Sequence, residues 1–199
     1  MPNETFYNLS EEKRQRIINS AIHEFKLHPL HKCRISNIIK QADIPRGSFY
    51  QYFDSLEDLY FYVIDLSFTN LFDEGRRIAK ETDDLFEFIE RTFKVDYDGY
   101  FKTKDHLFLM HLLQNAQSNE AYFDKRKVEH REYVIEILNH LDLSKYKDMS
   151  FEEFIKFYEL LQSIKRHTIH QAKHKELDFS QALEALRWKL DIIKHGVLK

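Results

Sequence analysis

Apolar residues in this chain recur mostly at intervals of three and four, the spacing of one face of an α-helix. Ile18, Ala21, Ile22 and Phe25 form such a stripe. Ser10 precedes it as an N-cap, and Glu11 and Glu12 suit the positive end of a helix dipole. Ile35, Ile38, Ile39 and Ala42 repeat the spacing in a shorter segment. Asp43 and Ile44 break the pattern. Pro45 then fixes its own φ for a helix start and pushes Ile44 toward an extended shape. A third helix is predicted over about 45–53, with Phe49 and Phe53 turned inward. Ser55 with Asp58 reads as a capping box opening a long helix, from Leu56 to about Lys80. Further helices are predicted over about 83–101, 104–117, 120–141, 150–175 and 179–195. Ser150 with Glu153 is a second capping box, and Asp178 or Ser180 caps the last helix.

The pattern predicts an all-α fold. Residues 1–54 would be a three-helix helix-turn-helix domain and residues 55–199 a second helical domain. Composition agrees, since only four glycines and three prolines occur in 199 residues, too few for the turns of an all-β fold. No apolar run approaches the roughly 18 residues of a membrane span. The N-terminal residues carry no apolar signal-peptide core, and Cys33 is the single cysteine, which excludes an internal disulfide. These features lead us to expect a cytoplasmic protein that binds no membrane. Net charge is −3. Residues 1–54 hold 8 Lys/Arg against 6 Asp/Glu, a balance of +2, so the remainder carries −5. A mildly basic head on an acidic body fits a DNA-reading module joined to a domain of different purpose.

The third helix carries the most specific chemistry. Arg46, Gly47, Tyr50 and Gln51 share a different face from Phe49 and Phe53. In a helix-turn-helix protein that face enters the major groove. Arg46 suits phosphate or guanine, and Gln51 can bond an adenine edge through two hydrogen bonds. Tyr50 offers a hydroxyl to phosphate and a ring to a thymine methyl. Gly47 allows close approach of the backbone to the duplex. Ser36, on the first turn of the second helix, faces a phosphate or a base edge. The competing reading of the wheel is a short amphipathic helix with a solvated polar face.

The run from Ile38 to Leu59, IIKQADIPRGSFYQYFDSLEDL, resembles the N-terminal DNA-binding domain of the TetR family of bacterial transcriptional regulators. That family reads approximately I-A-x-x-A-G-V-S-x-G-T-x-Y-x-Y-F-x-x-K-x-x-L. The matching positions are Ile38, Ala42, Ile44, Gly47, Ser48, Tyr50, Tyr52, Phe53 and Leu59. On this basis Ser36, Arg46, Gly47, Ser48, Tyr50, Gln51 and Tyr52 are the candidate DNA-contacting residues. Three positions depart from the pattern: the turn glycine is Asp43, the residue that usually caps the third helix is Pro45, and the phosphate-touching lysine is Leu56. Lys13, Arg14, Lys32 and Arg34 are the cations available to replace that lysine.

The resemblance implies a homodimer on an inverted-repeat operator in double-stranded DNA, paired through its last two helices. It also implies a small-molecule effector pocket behind the DNA-binding domain, most often in a repressor. Phe154 and Leu161, with Leu186, Leu190 and Ile193 on the last helix, are the candidate dimer residues. Ala185, Trp188 and Ile192 form another stripe of that helix, and a helix apolar on two sides needs two packing partners. An aromatic-rich interior suits an apolar or aromatic effector, with Phe108, His111, Asn115, Tyr158, Gln162 and Arg166 as candidate contacts. His167, His170 and His174 share a helix face but lack further ligands nearby in sequence, so no metal and no cofactor is expected. Cys33 reads more readily as a small hydrophobe than as an oxidant sensor. No catalytic motif is found, which disfavours an enzyme. The alternative to a metabolite-responsive regulator is one whose second domain recruits a protein partner.

Overall fold

The computed structural model describes residues 1–102 and 120–197. The described elements are α-helices with two short 3₁₀ turns, and no strand is present among them. In chain order the helices are α1 Glu4–Tyr7, α2 Glu11–Leu27, α3 Ile35–Ala42, α4 Arg46–Tyr52 and α5 Leu56–Ala79. After these come α6 Leu85–Phe101, α7 Glu120–His140, α8 Phe151–His174 and α9 Phe179–Val197. The helix predicted over 104–117 lies outside the described residues. Helix α1 leaves no trace in the periodicity, because a single turn is too short to repeat any spacing.

The caps follow the side chains that the sequence offers. The Ser10 hydroxyl accepts from the Lys13 amide at the start of α2. Ser150 and Glu153 form a complete capping box on α8, with the Ser150 amide donating to the Glu153 carboxylate at 2.7 Å. Asp178, not Ser180, caps α9 by accepting from the Gln181 amide at 2.9 Å. Helix α3 is capped from a distance. Its N-cap, Arg34, gives no side-chain bond. The buried Glu24 of α2 instead accepts from the Arg34 amide at 2.9 Å and from the Asn37 side chain at 3.0 and 3.1 Å.

Two compact units result, each with its own core. The first holds Met1–Leu71 among the described residues. Its core is built from Phe6 of α1, Ile17, Ala21 and Phe25 of α2, Ile38 and Ala42 of α3, Phe49 and Tyr52 of α4, and Leu59 to Ile64 of α5. The second holds residues 72–102 and 124–197. There α6, α8 and α9 pack against one another. Phe86, Ile89 and Phe93 meet a core that includes Leu161, Ala182, Leu186 and Leu190, all buried. The Tyr146 hydroxyl, buried in this unit, accepts from the Leu85 amide at 3.2 Å and fixes the start of α6.

The turn between α3 and α4 depends on Asp43. Its φ of 52° and ψ of 55° are left-handed. The Ile44 amide reaches back to the Ile39 carbonyl at 3.0 Å and the Asp43 amide to Lys40 at 3.4 Å. These are the two bonds of a Schellman turn, which glycine usually makes. Aspartate occupies this conformation at moderate cost, and a β-branched residue does so at a higher one. Asp43→Gly should therefore raise the stability of the first unit by about 0.5 kcal/mol, while Asp43→Val should lower it by roughly 1–2 kcal/mol. Urea unfolding of both variants measures the difference.

Candidate nucleic-acid interface

Helix α4 has only two turns, and its orientation is set by what it buries. Phe49 and Phe53 are fully buried, with ring centroids 5.9 Å apart. On the remaining part of the wheel, Arg46, Gly47, Tyr50 and Gln51 are all exposed. Tyr50 keeps half of its surface in solvent (50%), with its ring edge-to-face on Phe49 at 5.3 Å. A Cβ built on Gly47 would meet nothing within 4 Å, and its φ is not positive. The chain itself therefore has no need of a glycine there. Ser36 is exposed on the first turn of α3, and Ser48 is half-buried. Six of the seven residues singled out by the sequence thus reach the surface of one unit.

Tyr52 is the exception and a correction. It is 5% exposed, and its ring lies on the core side, edge-to-face with Phe6 at 6.2 Å. Tyr52 falls three residues after Phe49 and so belongs to the anchoring face rather than the open one.

Of the four cations considered as replacements for a lysine at Leu56, two are engaged elsewhere. Arg14 pairs with Glu11 and donates to the Tyr7 carbonyl at 3.0 Å. Lys13 sits over the Tyr52 ring, 5.8 Å from its centroid. Lys32 and Arg34 are exposed and line an open recess of about 570 Å³ with His28, His31, Cys33 and Asn37. This recess borders the first turn of α3 and concentrates positive charge there. Cys33 is half-buried, with its sulfur 3.3 Å from the His28 carbonyl and 3.5 Å from that of Pro29. Burial, helped by the Glu24 carboxylate, pushes its thiol up to about 12. It is therefore a protonated, weakly reactive thiol at neutral pH, despite its basic neighbours.

In the second unit, Phe108, His111 and Asn115 lie outside the described residues. Tyr158 is buried and Gln162 half-buried, and they do converge. The Tyr158 hydroxyl lies near Gln162 and Tyr133, and burial raises it well above the usual phenol range. Tyr133 is pushed up to about 12, again chiefly by burial. Arg166 does not join them: it is exposed and bonds Ser163 at 3.1 Å. Its place is taken by Lys165, one residue earlier and 3% exposed. The Lys165 ammonium meets Asp96 at 2.7 Å and the Thr92 hydroxyl at 3.1 Å. Asp96 and Thr92 stand one turn apart on α6, so one buried cation collects both. Sequence reading missed this group because lysine is taken as solvated by default. The available signal was its position four residues after Leu161 and four before Ile169, inside an apolar stripe. A Cβ on Gly75 would lie 1.8 Å from the Tyr133 hydroxyl, so α5 passes this cluster at a distance only glycine permits.

The expected dimer residues also need correction. Phe154, Leu161, Leu186 and Leu190 are between 0% and 5% exposed, and Ile193 is half-buried. They form the unit's own core, because helical spacing turns them toward α6. The other stripe of α9 is the open one: Trp188 is 67% exposed and Ile192 57%, with Ala185 half-buried beside them. His167, His170 and His174 are exposed on α8. Among the described residues no group of three His, Cys, Asp or Glu side chains is arranged to hold a metal. No described helix is long and apolar enough to cross a membrane.

Known proteins match both units. Residues 17–63 fit the family model of bacterial regulatory proteins of the tetR family. Residues 84–197 fit the model of the tetracyclin repressor-like C-terminal domain. An uncharacterised HTH-type transcriptional regulator of Bacillus subtilis, YdgC, is 27% identical over 105 residues, which cover 45% of this chain. The chain spans about half the length of that relative, 54%. Solved structures share the fold at low identity. A TetR transcription regulator from Haloarcula marismortui superposes with a TM-score of 0.70 at 19% identity, covering 96% of this chain and 100% of that one. E. coli NemR in its reduced form gives 0.67 at 15%, covering 94% and 98%. The fatty acid degradation regulator FadR of Bacillus halodurans gives 0.63 at 14%, covering 90% and 92%. With a matched helix-turn-helix unit and a matched C-terminal domain that spans more than half of its length, the chain belongs to the TetR family of bacterial transcriptional regulators.

Proposed function

We propose that this protein is a homodimeric repressor that reads an inverted-repeat operator through α4 and leaves it when a small apolar or aromatic molecule binds in the second unit. The observation that carries the DNA-reading part is the division of α4. Phe49, Tyr52 and Phe53 lock one face into the core, while Arg46, Gly47, Tyr50 and Gln51 stand open on the other. Arg46 and Gln51 supply guanine- and adenine-type pairings, and Tyr50 a phosphate or thymine-methyl contact. Ser36, Ser48 and the cations beside the recess set the register on the backbone, a task that needs charge and amides more than exact position. A glycine that the fold does not require, at the centre of the open face, fits close approach of a duplex.

Dimerisation is assigned to the Ala185, Trp188 and Ile192 stripe of α9. A two-fold contact places this stripe against its own copy and removes a large exposed tryptophan from water. The effector part rests on the aromatic interior of the second unit and on the Tyr133, Tyr158, Gln162, Lys165 and Asp96 cluster, which supplies polar groups to orient a ligand. Such a ligand acts by binding one spacing of the paired reading helices better than the other.

Selection of bound duplexes from a random pool at about 0.15 M salt should recover an inverted repeat. Replacing Tyr50 and Gln51 together with alanine should cost roughly a hundredfold in affinity for that repeat, with the helical circular-dichroism spectrum unchanged. Unaltered affinity would remove α4 as the reading element. Trp188→Glu should convert dimers into folded monomers in sedimentation, whereas Leu186→Glu, placed in the core, should unfold the second unit. A Trp188→Glu protein that still sediments as a dimer would rule out this face.

A further inference from the structure

The segment that precedes the matched family region is built onto the back of the reading helix. Helix α4 ends with carbonyls that have no partner inside the helix, as every helix does. The Phe49 carbonyl is met in register by the Phe53 amide at 2.9 Å. The next two to be satisfied are met from far away in sequence. The Gln51 carbonyl accepts from the Thr5 hydroxyl. The Tyr52 carbonyl accepts from the Asn3 amide at 2.8 Å. Just beyond the helix, Asp54 accepts from the Asn3 side chain at 3.0 Å. Phe6 is fully buried under the same end, 4.8 Å from the Phe53 ring and 5.4 Å from Tyr62. Arg14 holds the far end of α1 through the Tyr7 carbonyl.

We propose that Asn3, Thr5 and Phe6 form a clamp that positions α4 for base reading, which makes them specificity-determining residues that need not touch DNA. The proposal rests on α4 being the DNA-reading helix. Its logic lies in how two kinds of contact depend on distance. A bidentate hydrogen bond to a base edge is lost on displacement of about 1 Å. Attraction to phosphate falls only slowly with distance. A helix released at its C-terminal end therefore loses discrimination before it loses adhesion. Gln51 is the most exposed to this effect, because the bond from Thr5 lands on its own carbonyl.

Two matched pairs of variants of the full chain test the clamp. Thr5→Val removes the hydroxyl at constant shape, and Thr5→Ser restores it. Asn3→Pro removes the amide donor, and the native φ of −74° already suits proline. Asn3→Ala keeps that amide while losing the side chain. Affinity is measured for the selected inverted repeat and for a random-sequence duplex at one salt concentration. Thr5→Val and Asn3→Pro should each weaken operator binding about fivefold, with random-duplex affinity held within about twofold. Thr5→Ser and Asn3→Ala should stay near the parent protein. Unchanged operator affinity in Thr5→Val and Asn3→Pro overturns the clamp. An equal loss on both duplexes also overturns it, since that marks a loss of folded protein and not of positioning. Tyr50→Ala with Gln51→Ala, run alongside, separates the two ideas: if that variant keeps operator affinity, the assignment of α4 fails and the clamp falls with it.

Discussion

A helix of seven residues has too few internal hydrogen bonds to persist alone in water. Everything proposed for α4 depends on that constraint, because the helix exists only where its surroundings impose it. Phe49 and Phe53 supply the apolar anchor, and burying each aromatic ring contributes about 1.5–3 kcal/mol. The Asp43 turn fixes where the helix begins. The pairing of Glu24 with the Arg34 amide fixes the preceding helix, against which the turn is measured. A short helix held this way can present unsatisfied polar side chains outward, since none of them is needed for its stability.

The second unit solves a different problem. Its interior holds Lys165, a charge that is costly to bury without partners. Asp96 and Thr92 meet it, and Tyr133 on α7 with Tyr158 and Gln162 on α8 place further polar groups nearby. Apolar side chains of similar volume would pack this interior at no desolvation cost, so the polar cluster is the feature least explained by stability. Its Tyr133 hydroxyl also stands against Gly75, in the last turns of α5, which belong to the same unit.

The sequence was most legible where one spacing answers one requirement. Phe49 and Phe53 four apart, with Arg46, Gly47, Tyr50 and Gln51 between and around them, leave a single way to orient a helix on a core. Capping residues were legible for the same reason: Ser10, Ser150 and Asp178 act within three residues of their own position. Tyr52 was misplaced because the motif that it belongs to carries two tyrosines, and a string of letters does not say which one turns inward. Which stripe of the last helix lies in the core was not legible for a related reason. The last helix has two apolar stripes, and periodicity reveals both without ranking them.

By itself, then, the sequence determined what local physics controls: the longer described helices, the caps at Ser10, Ser150 and the start of the last helix, and the break at Asp43. Tertiary structure alone decided the contacts made across long stretches of chain. It buried Leu186 and left Trp188 in solvent. It put Lys165 rather than Arg166 inside, and it brought Asn3 and Thr5 onto carbonyls 46 to 49 residues away. The reason is that a helical stripe or an orphan carbonyl specifies the kind of partner required, while which partner arrives depends on packing the whole unit at once.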